Sequence, residues 1–293
     1  MPKRRTFIKQ IGTGALAVGF IPVLNSCNQT HPTTITSVET SDLPRSTPEE
    51  QGVSSQSLLN LYAEIEKSGI EFHSLMIIRH GKVITEGWWS PFASELKHTL
   101  YSLSKSFTST AVGLAVSEGL LMVNDKVVSF FPDDTPDGIS ERLASMEVRH
   151  LLTMNTGHGT GTMDGMRVEP DGNWPKAFLA QELEHDPGTQ FLYNTGATYM
   201  LSNIVQKLTG KTLIEYLTPR LFVPLGIEGA DWETCPRGVN TGGYGLRVRT
   251  EDIAKLGLLY LQKGKWNETE LLPESWDDEA TKYQVPSQED NGD

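Results

Sequence analysis

The 293-residue chain is 38% hydrophobic, carries a formal charge of −12 and contains two cysteines. That apolar fraction excludes a disordered or collagen-like chain and suffices for one large globular domain or two small ones. Basic residues are not clustered outside the extreme N-terminus, so electrostatics argue against a nucleic-acid partner.

The first residues read as an export segment rather than as part of a fold. Lys3, Arg4, Arg5 and Lys9 precede an apolar run of 14 residues, Ile11 to Leu24, too short to span a bilayer. Arg4-Arg5-Thr6-Phe7-Ile8-Lys9 resembles a twin-arginine signal. Leu24-Asn25-Ser26-Cys27 resembles a lipoprotein cleavage box with Cys27 as the lipidated residue; an ordinary cleaved signal with an incidental cysteine is the alternative. Cleavage before Cys27 would remove four basic residues and no acidic one, taking the charge from −12 to −16. Residues 27–46, rich in Thr, Ser and Pro, are expected to form a flexible tether on the periplasmic side of a membrane anchor. With Cys27 lipidated, Cys235 has no disulfide partner, and with no activating neighbour it is expected to be structural.

From Thr47 the pattern becomes globular, and residues 47–293 are taken as one domain. Leu58, Leu59, Tyr62 and Ile65 recur at helical spacing in Ser54 to Lys67, with Gly69 as the stop. Ser74 to Arg79 and Val83 to Trp89, joined by His80-Gly81-Lys82, predict an antiparallel hairpin. Apolar stripes then predict helices over Ser104 to Gly119, through Met200 to Leu208 before Gly210, and over Thr250 to Gln262. Two strands alone do not make a stable sheet, so further strands are expected towards the C-terminus. The final stretch VPSQEDNGD contains no strand-like run.

Ser102 and Lys105 have Ser-x-x-Lys spacing, which on a helical turn puts hydroxyl and amine on one face. Serine becomes a nucleophile once a base takes its proton, and a lysine can serve, so the pair suits acyl transfer. The spacing is not specific: with 22 serines and 14 lysines, roughly one match arises by chance, and Ser94-Glu95-Leu96-Lys97 is a second example. Ser94 lies in a polar connection, whereas Ser102 opens an apolar helix. A Pro/Gly-punctuated loop, Asp186 to Gly196, delivers Tyr193 ahead of another helix, where a phenol near an ammonium could exchange protons; an ordinary core tyrosine is the alternative. His158 is either a pocket residue or a solvated loop histidine, and Trp88 and Trp89 are expected to pack. No cluster has metal-ligand spacing and no phosphate loop follows a strand, so neither metal nor cofactor is expected.

Several spaced motifs together resemble the serine β-lactamase and penicillin-binding-protein superfamily, in the branch of class C β-lactamases, family VIII esterases and 6-aminohexanoate-dimer hydrolases. They are Ser102-Leu103-Ser104-Lys105, Leu151-Leu152-Thr153-Met154-Asn155-Thr156-Gly157, Pro187 to Tyr193, Leu221 to Ile227, and Gly242-Gly243-Tyr244-Gly245-Leu246. The resemblance implies an α/β fold of α+β type: an antiparallel sheet flanked by helices, plus a mainly helical subdomain. It also implies Ser102 as acylated nucleophile, Lys105 as base or proton relay, and Tyr193 as third catalytic group. Asn194 and Thr195 complete the family's second motif as substrate-binding positions. Thr195 has a hydroxyl where many members have an amide, which favours an ester or small amide over a dedicated β-lactam substrate. The family's third motif, a Lys-Thr-Gly or His-Thr-Gly triplet on a strand, has only superficial matches before Asp293, Asn155-Thr156-Gly157 and Asn240-Thr241-Gly242, both ahead of helical segments, so the C-terminal sheet strands are expected to be missing through a truncated product or an incomplete record. The alternative to a hydrolase is a non-catalytic peptide- or peptidoglycan-binding relative, or an inactive fragment.

Overall fold

A computed structural model of the protein describes residues 42–286. The export signal, Cys27 and most of the expected tether lie outside the described residues. The tether's last positions are docked: Leu43 is buried, Arg45 bridges to Val83, and its guanidinium pairs with Glu86 at 3.0 Å and Glu251 at 2.6 Å.

Helix α1 (Ser55–Ser68) precedes the hairpin β1 (Ser74–Arg79) and β2 (Lys82–Trp88), which pair antiparallel with a bulge at Ile77/Ile78. The short strand β3 (His98–Thr99) leads through a 3₁₀ turn, Tyr101–Leu103, into α2 (Ser104–Ser117). Short helices follow: α3 (Glu141–Ser145), α4 (Val148–Leu152), α5 (Met163–Arg167) and α6 (Trp174–Leu179). The long α7 (Thr195–Thr209) and short α8 (Leu213–Leu217) come next, then β4 (Asp231–Trp232) and β5 (Leu246–Val248). Helix α9 (Thr250–Leu261), the small hairpin β6 (Lys265–Trp266) and β7 (Thr269–Glu270), and α10 (Glu274–Thr281) complete the described chain.

The main core is helical. The predicted stripe of α2 is buried at Phe107, Ala111, Leu114 and Ala115, and α7 buries every residue from Gly196 to Val205. Helix α10 closes against α2 at Gly113, where an added Cβ would come within 2.5 Å of the Trp276 indole. A smaller cluster of Leu43, Val83 and Leu258 joins the hairpin to α9, while Tyr62 of α1 bonds to Thr85 at 2.8 Å. Trp89 packs its ring near Tyr62 and Phe72.

Among the described residues, β1 and β2 pair only with each other as strands. The further strands form a separate sheet in the order β3-β5-β4, which joins the chain before Ser102 to the chain after Gly245. Cys235 is buried with its sulfur 3.3 Å from the Tyr199 hydroxyl.

Candidate active site

Three segments meet at Ser102, two of them remote in sequence. The first is its own turn. Tyr101 has φ 46°, a left-handed conformation uncommon for a bulky residue, and it sets Ser102 on the exposed side of the turn. Two bonds tie the turn to β5: Leu100 N–H donates to the Leu246 carbonyl at 2.9 Å, and the buried Ser104 hydroxyl accepts from Leu246 N–H at 3.2 Å. Lys105, one turn on, donates from Nζ to Ser102 Oγ at 3.2 Å.

The second segment carries Tyr193, whose hydroxyl donates to Ser102 Oγ at 2.6 Å. Backbone bonds to the Leu151–Gly157 motif hold its loop. Leu192 N–H donates to the Met154 carbonyl at 2.9 Å, Gly188 N–H to that of Asn155 at 2.7 Å, and His185 N–H to that of Gly157 at 2.9 Å. Gly157 sits at φ 90° against the His185 carbonyl, where no side chain fits. Asn194 then caps α7: its carbonyl oxygen accepts from Gly196 N–H at 3.0 Å and from the Thr162 hydroxyl at 2.8 Å.

The third segment is the glycine-rich loop before β5. Lys105 Nζ also donates to the Gly243 carbonyl at 2.7 Å, and Thr108 donates to that of Gly242 at 2.8 Å. A Cβ on Gly243 would lie 2.7 Å from Thr195 Cγ2 and 3.5 Å from Lys105 Nζ. The chain passes between those two residues only because it has no side chain there.

The amine also lies 5.0 Å from the Tyr193 ring centroid. Burial pushes the Tyr193 phenol up, but hydrogen bonding with the Ser102 and Lys105 side chains and the ammonium charge outweigh it, holding the phenol below its ordinary value. Lowering favours the phenolate, the form able to accept a proton from Ser102.

The structure therefore brings Ser102, Lys105 and Tyr193 into mutual contact and sets half-buried Thr195 beside them across Gly243. The other two sequence candidates are placed elsewhere. Asn194 is fully buried and its carbonyl oxygen serves the cap. His158 is also buried, bonded through Nδ1 to Thr156 at 2.8 Å and set against Phe178, so it is neither solvated nor part of the Ser102 cluster. Burial lowers its pKa to about 4, keeping it neutral. The competing Ser94-x-x-Lys97 match separates in space, since Lys97 bonds to Asp231 and to the Gly229 carbonyl at 2.8 Å while Ser94 bonds to Glu95. The Asn240-Thr241-Gly242 triplet is buried, with Ser202 donating to the Asn240 carbonyl at 2.6 Å. Sequence reasoning gave no role to Gly243, Ser104 or Thr108. The paired glycines ahead of a strand were the available signal for Gly243.

These elements define a mixed α/β protein of the β-lactamase/transpeptidase-like fold. The beta-lactamase family model matches residues 63–292, and the chain belongs to that family. It is 24% identical over 217 residues to the 6-aminohexanoate-dimer hydrolase of Paenarthrobacter ureafaciens, an alignment covering 69% of this chain and 55% of that protein. Among solved structures it is similar to EstCE1, described as a hydrolase with promiscuous acyltransferase activity (TM-score 0.62, 18% identity, 76% of this chain and 75% of that one). It is also similar to the octameric penicillin-binding protein homologue from Pyrococcus abyssi (TM-score 0.59, 21% identity, 77% and 59%). The chain spans about half the length of the curated relatives it matches.

Proposed function

We propose that the protein is a serine hydrolase that cleaves an ester or small amide through an acyl-enzyme on Ser102. The observation that carries this is the double contact on one oxygen: Tyr193 at 2.6 Å and Lys105 at 3.2 Å from Ser102 Oγ. A hydroxyl held by two proton-transfer groups, one of them with a lowered pKa, is the arrangement an activated nucleophile requires.

In the proposed cycle Tyr193, as phenolate, takes the Ser102 proton while Oγ bonds to the substrate carbonyl carbon. Lys105, fixed by the Gly243 carbonyl, remains an ammonium that favours the phenolate and stabilises the oxygens around it. The Ser102 N–H belongs to the first turn, where N–H groups lack helical acceptors, and is a donor available to the developing oxyanion. Tyr193 then returns the proton to the departing alcohol or amine. Water repeats the sequence on the acyl-enzyme, transferring a proton to Tyr193 and regenerating Ser102.

Incubation with a fluorophosphonate followed by intact-mass measurement tests the proposal. A single adduct on the wild type that is absent from Ser102→Ala is expected; no adduct, or an equal one on both, sinks it. From the Arg4-Arg5 and Leu24-Asn25-Ser26-Cys27 motifs we also propose that the enzyme sits on the periplasmic side, anchored through Cys27. In that case a Cys27→Ser chain loses incorporation of labelled palmitate in cells.

A further inference from the structure

Arg167 ends α5, and its guanidinium lies 5.3 Å from the centroid of the Tyr244 ring. Both residues adjoin the Ser102 cluster through their neighbours. Tyr244 follows Gly243, whose carbonyl holds Lys105. Arg167 follows Met166, which together with Thr162 lies against Gly196, next to Thr195.

The guanidinium is exposed, and among the described residues no carboxylate lies within the 4.0 Å of an ion pair. Asp164, on the same helix, supplies only longer-range attraction. A guanidinium steadied on an aromatic ring gives up little side-chain freedom when it takes an anion, and its planar fork matches a carboxylate through two hydrogen bonds. In a chain of charge −12, an open positive group on the ring of Tyr244, next in sequence to the glycine that holds Lys105, is suited to selecting an anionic substrate.

We propose that Arg167 is a specificity-determining residue that binds a carboxylate carried by the substrate away from its scissile carbonyl. The proposal rests on Ser102 being the nucleophile.

Two substrate series test it. p-Nitrophenyl half-esters of dicarboxylic acids, succinate to suberate, place the carboxylate on the acyl side and are compared with p-nitrophenyl alkanoates of equal length. Acyl esters of 4-hydroxybenzoate place it on the leaving group and are compared with phenyl esters. In at least one series Arg167→Ala is expected to lower kcat/KM for the carboxylate substrate by about tenfold or more, the scale of a charge-assisted hydrogen bond. The neutral partner should change less than about twofold, Arg167→Lys should recover part of the loss, and added salt should shrink the preference. Equal losses on charged and neutral substrates in both series, or no loss, overturn the proposal.

Fluorophosphonate labelling separates this failure from failure of the hydrolase reading, because Arg167→Ala should label Ser102 at the wild-type rate. If the wild type does not label, calorimetry with adipate still decides the point. Weaker binding to Arg167→Ala by about tenfold supports the carboxylate site, whereas equal binding or none overturns it.

Discussion

Lys105 and Gly243 are 138 positions apart in sequence, yet the lysine amine donates to the glycine carbonyl at 2.7 Å. That bond fixes which way the amine faces Ser102, and the missing side chain of Gly243 makes the approach possible. Gly243→Ala adds a Cβ 2.7 Å from Thr195 Cγ2 and 3.0 Å from the Thr195 carbonyl, both tighter than ordinary contact. The loop must move, and with it Lys105. The expected outcome is a fluorophosphonate labelling rate reduced about 10- to 100-fold, the scale of an ångström-sized misplacement, with an unchanged far-ultraviolet dichroism spectrum.

Activity should fall as pH drops through the pKa of Tyr193, because the phenolate is the proposed base. The hydrogen bonds and charge that hold this pKa below the ordinary tyrosine value come in part from Lys105. Lys105→Met removes that support, so the surviving activity should have its acid limb displaced to higher pH. Lys105→Arg keeps the charge and should displace it less. A pH profile of kcat/KM on a p-nitrophenyl ester reads both, and an unmoved limb in Lys105→Met would exclude Tyr193 as the base.

Fold stability should weaken in mild acid because of His158. Its folded pKa is depressed from 6.5 to about 4 by burial, so the unfolded chain binds a proton that the folded chain refuses. The stability associated with this residue is fully present above pH 6.5 and is lost as pH falls towards about 4, on the order of 3 kcal/mol in all. His158→Gln should flatten the slope of Tm against pH across that window while lowering Tm at pH 7. An unchanged slope would mean that other groups govern acid sensitivity.

Asn194 joins helix stability to catalysis. Loss of an N-cap acceptor costs about 1 kcal/mol, and this cap directly follows Tyr193. Asn194→Ala should therefore lower both Tm and the labelling rate. Asn194→Asp keeps an acceptor oxygen for Gly196 and Thr162 and should retain most of both.

Helical periodicity located the secondary structure well. The expected helix at Ser54–Lys67 is Ser55–Ser68, the one at Thr250–Gln262 is Thr250–Leu261, and the hairpin lies within a residue of its expected ends. Apolar spacing marks each of these elements in a single sequence, although α1 buries only Ile65 fully and leaves Leu59 of its expected stripe exposed. The β3-β5-β4 sheet was not visible, because strands of two or three residues are too short to show alternation and their pairing is decided by partners far along the chain. The site divides the same way. Ser102, Lys105 and Tyr193 carry side-chain chemistry in recognisable motifs, whereas Gly243 acts through its backbone and its lack of a side chain. The buried positions of Asn194 and His158 depend on how loops close over them, which spacing does not encode.

The bond between Tyr193 and Ser102 spans 91 positions, and Lys105 leans on a residue beyond β4. Chemistry at Ser102 is thus conditional on two remote loops being closed over its own turn, and loosening either disperses the reacting groups while the helical core persists. The nucleophile can then act as an internal reporter of partial opening. In rising denaturant, the labelling of Ser102 should fade before tryptophan fluorescence signals global unfolding, and the gap between the two curves measures how far local closure is less stable than the domain.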